Sequence, residues 1–225
     1  MATLYIIGTP IGNLGDISYR AVEILKTAVL VACEDTRRTL KLLNHFGIRV
    51  KMLSCRSHNE ENAARKVIEA LDQGLTVAYT SDAGTPALSD PGAVLARSAI
   101  AAGHNVIPIP GPSAFAALLS VAGGTDKTIV FEGFLSPKQG RRRTRLKDLL
   151  AMKAGIVLYE SPFRIIKLLE DIAEIDKERY ICIGREMTKV HEEYIRGTTV
   201  EVLAALAARK EQLGEFSVYI AGNNL

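Results

Sequence analysis

At 225 residues, 48% hydrophobic and 24% charged, the chain has the make-up of an ordinary soluble globular protein, long enough to bury a core in one large domain or two small ones. No apolar run approaches the roughly 18 residues of a spanning helix, and the N-terminus lacks the charged-then-apolar layout of a secretory signal, so a cytoplasmic protein with no membrane partner is expected. The net charge of +3 is too small to name a partner.

Cys33, Cys55 and Cys182 are odd in number and widely spaced, which argues against a disulfide framework or a zinc site and predicts buried thiols. His45, His58, His104 and His191 lie too far apart to suggest metal, and none is assigned.

The first strand is predicted over Leu4 to Ile7, followed by Gly8-Thr-Pro-Ile-Gly12-Asn-Leu-Gly15. This loop does not fit a dinucleotide fingerprint, because Pro10 and Ile11 intervene and the next helix, Tyr19 to Ala28, begins only beyond Ser18. A second strand over Val29 to Cys33 ends at Glu34-Asp35, an acidic pair at about the distance where dinucleotide folds bind ribose. Strand Val50 to Leu53 leads through a cap at Ser57 into a helix over Asn59 to Gln73.

The fourth strand, Leu75 to Tyr79, opens into Thr80-Ser-Asp-Ala-Gly-Thr-Pro-Ala-Leu-Ser-Asp-Pro91. Small residues, a glycine and two Asp-anchored turns at a strand end let backbone approach a ligand. The alternative is an elaborate turn that only joins strand to helix. Helix Ala93 to Ala102 stops at Gly103, and strand Asn105 to Ile109 runs into Pro108-Ile-Pro-Gly-Pro112, which marks a boundary or a crossing between halves.

Beyond it come a small-residue helix, Ala114 to Ala122, strands over Thr128 to Phe131, Ile156 to Tyr159, Tyr180 to Gly184 and Phe216 to Ala221, and helices over Arg143 to Met152, Phe163 to Ile175 and Val200 to Lys210. His191 to Gly197 reads as a loop or hairpin arm. Alternating strands and helices imply an α/β protein, with a parallel N-terminal sheet over 1–112 and a mixed C-terminal sheet over 113–225. A cleft between the halves is a natural ligand site. Lys138, Arg141, Arg142, Arg143, Arg145 and Lys147 form a dense basic segment with no acid until Asp148, which reads as an RNA phosphate contact, with a solvated helix start or loop as the alternative; Arg37, Arg38 and Lys41 extend it.

Taken together, the segment Leu4-Tyr-Ile-Ile-Gly-Thr-Pro-Ile-Gly-Asn-Leu-Gly-Asp-Ile, Cys33-Glu-Asp-Thr-Arg, Ser81-Asp-Ala-Gly-Thr-Pro with Asp90-Pro-Gly, and Pro110-Gly-Pro-Ser resemble the bacterial ribosomal RNA small-subunit methyltransferase I family. So do Phe131-Glu-Gly-Phe-Leu, Tyr159-Glu-Ser-Pro-Phe-Arg and Gly184-Arg-Glu-Met-Thr-Lys. The resemblance runs in order from Leu4 to about Gly222. It implies the tetrapyrrole-methylase-like fold, S-adenosylmethionine as methyl donor, no metal, a homodimer, and methylation of a cytidine ribose 2′-hydroxyl in 16S rRNA or the small ribosomal subunit. The sequence stops soon after Ala221-Gly222, so the small C-terminal extension of some relatives is expected to be missing.

Carried over from that family, the donor site comprises Pro10, Asp82, Ala83, Gly84, Thr85, Ser113 and Ala114, with Tyr159, Glu160, Ala221 and Gly222 walling the adenosine. Core packing is the competing explanation for Tyr159, Ala221 and Gly222. A ribose hydroxyl is a poor nucleophile, and Glu34, Asp35, Glu160, Glu186 and Lys189 are candidates to assist it. Glu34 or Glu160 is expected to orient or deprotonate the hydroxyl; the alternative is structural pairing with Arg37, Arg164 or Arg185. A same-fold methyltransferase acting on a tetrapyrrole or other small molecule, and a nucleotide-binding module without catalysis, remain as other readings.

Overall fold

The computed structural model describes residues 2–222, which form two compact units divided between Ser113 and Ala114. The first unit runs β1 (Thr3–Ile7), α1 (Tyr19–Thr27), β2 (Leu30–Cys33), α2 (Thr36–His45), β3 (Lys51–Ser54), α3 (Glu60–Asp72), β4 (Val77–Thr80), α4 (Ala93–Ala101) and β5 (Asn105–Ile109). Its five strands are all parallel in the order β3-β2-β4-β1-β5, so every strand delivers its following loop to the same edge.

Side-chain alternation splits the core between the two faces. Leu4, Val77 and Tyr79 pack with Val67 and Leu71 of α3 and Leu95 of α4, whereas Ile7, Val31 and Ala78 pack with Leu25 of α1 and Leu42 and Leu43 of α2. Pro108 lies inside β5 without penalty because that strand is an edge, bonded only to β1. The proline-spaced crossing has a further cause: a Cβ on Gly111 would stand 2.5 Å from the Gly8 carbonyl oxygen, so the loops after β1 and β5 touch backbone to backbone.

The second unit runs α5 (Ala114–Ala122), β6 (Ile129–Phe134), α6 (Gln139–Ala151), β7 (Gly155–Glu160), α7 (Ile165–Ile175), β8 (Tyr180–Arg185), β9 (Glu193–Thr198), α8 (Thr199–Ala207) and β10 (Phe216–Ile220). Its sheet is mixed, ordered β6-β7-β10-β8-β9, with only β6 and β7 parallel neighbours. Leu146 and Leu149 of α6, Leu168 and Leu169 of α7 and Val202 and Leu206 of α8 join Ile156, Ile183 and Val218 in one core.

Three sequence expectations shift and one open alternative is decided. Helix α2 is absent from the sequence reading; Asp35 caps it, its Oδ1 accepting from Arg37 N at 2.9 Å, and Gly47 at φ +65° ends it. The N-cap of α3 is Asn59 rather than Ser57. Helix α6 begins at Gln139, ahead of the expected Arg143. Of the two readings of the stretch from His191 to Gly197, the hairpin arm is the one formed: it holds β9, an edge strand antiparallel to β8. All three cysteines are free and buried, and burial pushes Cys55 up to about 12. Among the described residues no group of three or more metal-ligating side chains occurs, and no helix is long and apolar enough to cross a membrane.

Candidate functional site

The loops after β1, β2 and β4 meet at the carboxyl edge of the first sheet, where open α/β sheets bind ligands. Thr9 and Gly84 exchange backbone hydrogen bonds of 2.9 Å in both directions, pinning the first loop to the fourth. Gly84 sits at φ +81°. Asp82 ties in the second loop: its Oδ1 accepts from Asp35 N at 2.9 Å, its own N–H donates to Glu34 Oε2 at 3.3 Å, and Arg38 Nε lies 3.4 Å from its Oδ2. Asp82 is therefore tied into the corner through three contacts. The N–H groups of Ala83 and Thr85 donate to no protein group among the described residues, which fits a donor bound through loop amides.

The far end of this loop is fixed by Glu60, a buried carboxylate on α3. Its Oε1 accepts from Gly92, Val94 and Leu95 N at 2.8, 3.1 and 3.4 Å, supplying the cap that α4 lacks in its own sequence. Sequence reasoning missed it, because a Glu early in a helix looks like ordinary dipole complementation.

The adjacent acids Glu34 and Asp35 have opposite fates. Hydrogen bonds from the side chain and backbone of Arg37 hold Asp35 well below the usual carboxylate range. Burial raises Glu34; the Asp82 N–H opposes this, and the charges of Asp82 and Asp90 add to it. Burial likewise raises Asp90. Glu34 is thus a carboxylate with heightened proton affinity at a strand end, the property expected of a base. Beside it lies a cavity of about 250 Å³, walled by residues of the first loop, the first turns of α2 and Thr80 to Asp82.

In the second unit, Tyr159 and Glu160 end β7. Tyr159 Oη accepts from Phe115 N at 3.0 Å in the first turn of α5, next to Ala114, and its ring meets Phe131 and Phe134 edge-on. Glu160 is buried, bridged to Arg164 Nη2 at 2.6 Å and accepting from Ser161 N at 2.7 Å. A carboxylate so held matches the structural pairing with Arg164, the alternative for Glu160.

Ala221 and Gly222 are not brought to Tyr159. The β10–β7 register sets Ser217 against Tyr159 and Ile220 against Ile156, so Ala221 continues toward the opposite end of the sheet. There Gly222 N donates to Asp126 Oδ2 at 3.0 Å, and a Cβ on Gly222 would stand 2.7 Å from backbone carbon of Lys153 and Ala154. Close packing accounts for both. Asn223 to Leu225, the end of the expected short tail, lie outside the described residues.

Sharing the Tyr159 end is the loop after β8, parallel to β7 through their common antiparallel neighbour β10. Glu186 and Thr188 both take positive φ, +50° and +66°. Glu186 Oε1 accepts from Glu215 N and Lys189 Nζ, each at 2.9 Å, and Lys189 also reaches Glu215 at 2.8 Å. These two candidates satisfy each other.

The basic segment is a correction. It is the start of α6, and most of its charge is spent inside the unit. Arg142 is buried with its Nε 2.6 Å from Asp171 Oδ2; Arg143 binds Asp171 and Glu174, both at 2.6 Å; Arg145 holds Glu132 through two bonds of 2.7 and 2.6 Å. The compensating acids are distant in sequence, not missing. Lys138, Arg141 and Lys147 alone stay exposed with no carboxylate partner among the described residues.

Residues 3–203 match the Tetrapyrrole (Corrin/Porphyrin) Methylases family. The Ribosomal RNA small subunit methyltransferase I of Borrelia garinii subsp. bavariensis is 44% identical over 219 residues, spanning 97% of this chain and 98% of that protein. Its namesake from Thermotoga maritima is 41% identical over 222 residues, spanning 99% of each, and that from Halalkalibacterium halodurans is 45% identical, spanning 98% of this chain and 76% of the relative. Among solved structures, a cobalt precorrin-4 methyltransferase of cobalamin biosynthesis superposes with a TM-score of 0.69 at 16% identity over 97% of this chain and 94% of that one. A uroporphyrin-III-C-methyltransferase from Thermus thermophilus gives 0.66 at 16% identity over 98% and 94%. At such identities these two structures speak to the fold alone.

Proposed function

The chain belongs to the ribosomal RNA small subunit methyltransferase I family, within the tetrapyrrole methylases, and on that footing we propose that it methylates the ribose 2′-hydroxyl of a cytidine in 16S rRNA. It is a methyltransferase. The observation that carries the RNA substrate is identity above 40% along nearly the whole chain to relatives named for that substrate. The tetrapyrrole reading rests on structural neighbours of 16% identity and is less supported.

S-adenosylmethionine supplies an activated methyl group. In the first unit Pro10, Ser113 and the 82–85 backbone are the groups assigned to bind it, through amides left open by a loop that Asp82 and Glu60 hold rigid; Ala114 and Tyr159 are the assignments in the second unit. As the C–S bond breaks and the methyl–O2′ bond forms, the hydroxyl proton passes to a Glu34 carboxylate oxygen, whose raised proton affinity suits it to accept. Positioning of the hydroxyl in line supplies the larger share of the rate. Lys138 and Arg141 are the RNA phosphate contacts of the basic segment, and a homodimer acting in the cytoplasm follows from the resemblance.

The test is incubation with radiolabelled S-adenosylmethionine and small ribosomal subunits from cells lacking the activity, then mapping of the label. Label on a cytidine ribose supports the reading, and label on a base or only on a small molecule rejects it.

A further inference from the structure

The cavity of the first unit shares Pro10 and Asp82 with the donor site assigned above, and the rest of its lining has a chemistry of its own. Pro10, Leu14 and Leu42 give it an apolar side, and Leu14, at the start of the single 3₁₀ turn Leu14–Asp16, is 37% exposed. Thr9, Thr39, Thr80 and Ser81 bring hydroxyls. Their contacts with one another are long: Thr9 Oγ1 to Ser81 O is 3.5 Å, Thr39 Oγ1 to Thr80 Oγ1 is 3.5 Å, and Ser81 Oγ to Ala83 O is 3.4 Å, against about 2.7–2.8 Å for an ordinary O–H···O bond, while Ser81 also bonds Asp90 and Thr39 also bonds Cys33. Thr9 and Thr80, whose hydroxyls make only such long contacts among the described residues, give up little when they turn to a ligand.

Two cations complete the wall. Lys41 is exposed with no carboxylate partner among the described residues, and Arg38, 61% exposed, reaches only the long 3.4 Å contact to Asp82. The wall's own carboxylate, Asp82, faces Arg38, which leaves Lys41 as the stronger attraction for an anion. At about 250 Å³ the space is below the usual range of roughly 300–1,000 Å³ for small-molecule sites, which suits one nucleotide and not a tetrapyrrole macrocycle.

Resting on the RNA methyltransferase reading, we propose that this cavity seats a single nucleotide of the RNA strand, its base against Leu14 and Leu42 and its phosphate on Lys41 and Arg38. The site adjoins the transfer chemistry by construction. Asp82 belongs both to the cavity wall and to the 82–85 loop, and its N–H holds Glu34 Oε2 at 3.3 Å. A ribose entering here comes to the same corner as the proposed base and the loop assigned to the donor.

The experiment titrates the full-length protein with cytidine 5′-monophosphate and with cytidine, in the wild type and in Lys41→Glu, alongside S-adenosylmethionine affinity and the KM for small subunits. Expected is saturable binding of the monophosphate, weakened about tenfold or more by Lys41→Glu, with cytidine affinity and donor affinity unchanged and KM raised by a similar factor. No binding of the monophosphate to the wild type, displacement of the donor by it, or a Lys41→Glu protein with unaltered monophosphate affinity and KM overturns the proposal. If the monophosphate binds through Lys41 while small subunits accept no label, the cavity assignment stands and the RNA methylation reading falls.

Discussion

Replacing Arg142 with alanine separates the two meanings of the basic segment. The Arg142 guanidinium and the Asp171 carboxylate are 4% and 1% exposed and 2.6 Å apart. Removing one member of a buried pair costs about 3–5 kcal/mol, because the other is left without its counter-charge. Here Asp171 keeps Arg143 Nε at 2.6 Å and Gln139 Nε2 at 3.3 Å, so the low end, about 3 kcal/mol, is expected. That lowers the thermal midpoint of the second unit by about 10 °C, and in urea it shifts the midpoint concentration without changing the slope. Burial raises the Asp171 pKa, but bonds from Arg143, Arg142 and Gln139 outweigh it and bring it below the ordinary value. The pair's stabilisation is therefore complete above that ordinary value and is lost as pH falls through the depressed one, so the Arg142→Ala deficit shrinks on acidification. Arg141→Ala, one residue away and exposed, is expected to change stability by less than about 0.5 kcal/mol while reducing the salt dependence of RNA binding by about one phosphate contact. An Arg142→Ala protein of normal stability with a flattened salt slope would refute the assignment of these two arginines.

Two further outcomes follow from the first unit. Glu34→Gln is expected to lower the single-turnover methylation rate by about 10²–10⁴-fold with donor affinity retained, and to abolish an acidic limb of the pH–rate profile that lies above the ordinary carboxylate value; a rate within a few-fold of wild type sinks the base assignment. Because a raised folded-state pKa means that ionisation weakens the fold as pH rises through it, the same variant is expected to be no less stable at pH 7. Gly111→Ala places a Cβ 2.5 Å from the Gly8 oxygen and is expected to destabilise the first unit by about 1–3 kcal/mol in urea titrations, whereas Gly103→Ala, with open space around its Cβ, suffers only its backbone penalty at φ +81°.

The strands were legible because parallel sheets buried on both faces leave continuous Val, Ile and Leu runs, and the glycine stop at Gly103 fell where expected. Helix α2 was not, since its apolar residues are few and its length carries Arg37, Arg38 and Lys41 beside Leu42 and Leu43. A capping Asp directly after a strand and a glycine after His45 were the available signals. Missing that helix hid the cavity as well, whose wall includes Arg38, Thr39 and Lys41. Clustered arginines misled for a related reason: sequence shows a run of like charges but not that Asp171 lies 29 positions on and Glu132 13 positions back, folded against them.

Glu34 and Asp35 show how neighbouring acids divide between scaffold and chemistry. Glu34 N continues the ladder to Thr80 O at 3.3 Å, so its side chain stays with the strand edge and faces the 82–90 loop, where burial and two further carboxylates oppose its ionisation. Asp35 is already the cap of α2, turned to meet Arg37, and its charge is welcome at a helix N-terminus. Two carboxylates whose proton affinities are driven apart by one step along the chain assign their own roles. The one that is held ionised caps α2, and the one that resists ionisation has the proton affinity that the proposed base needs.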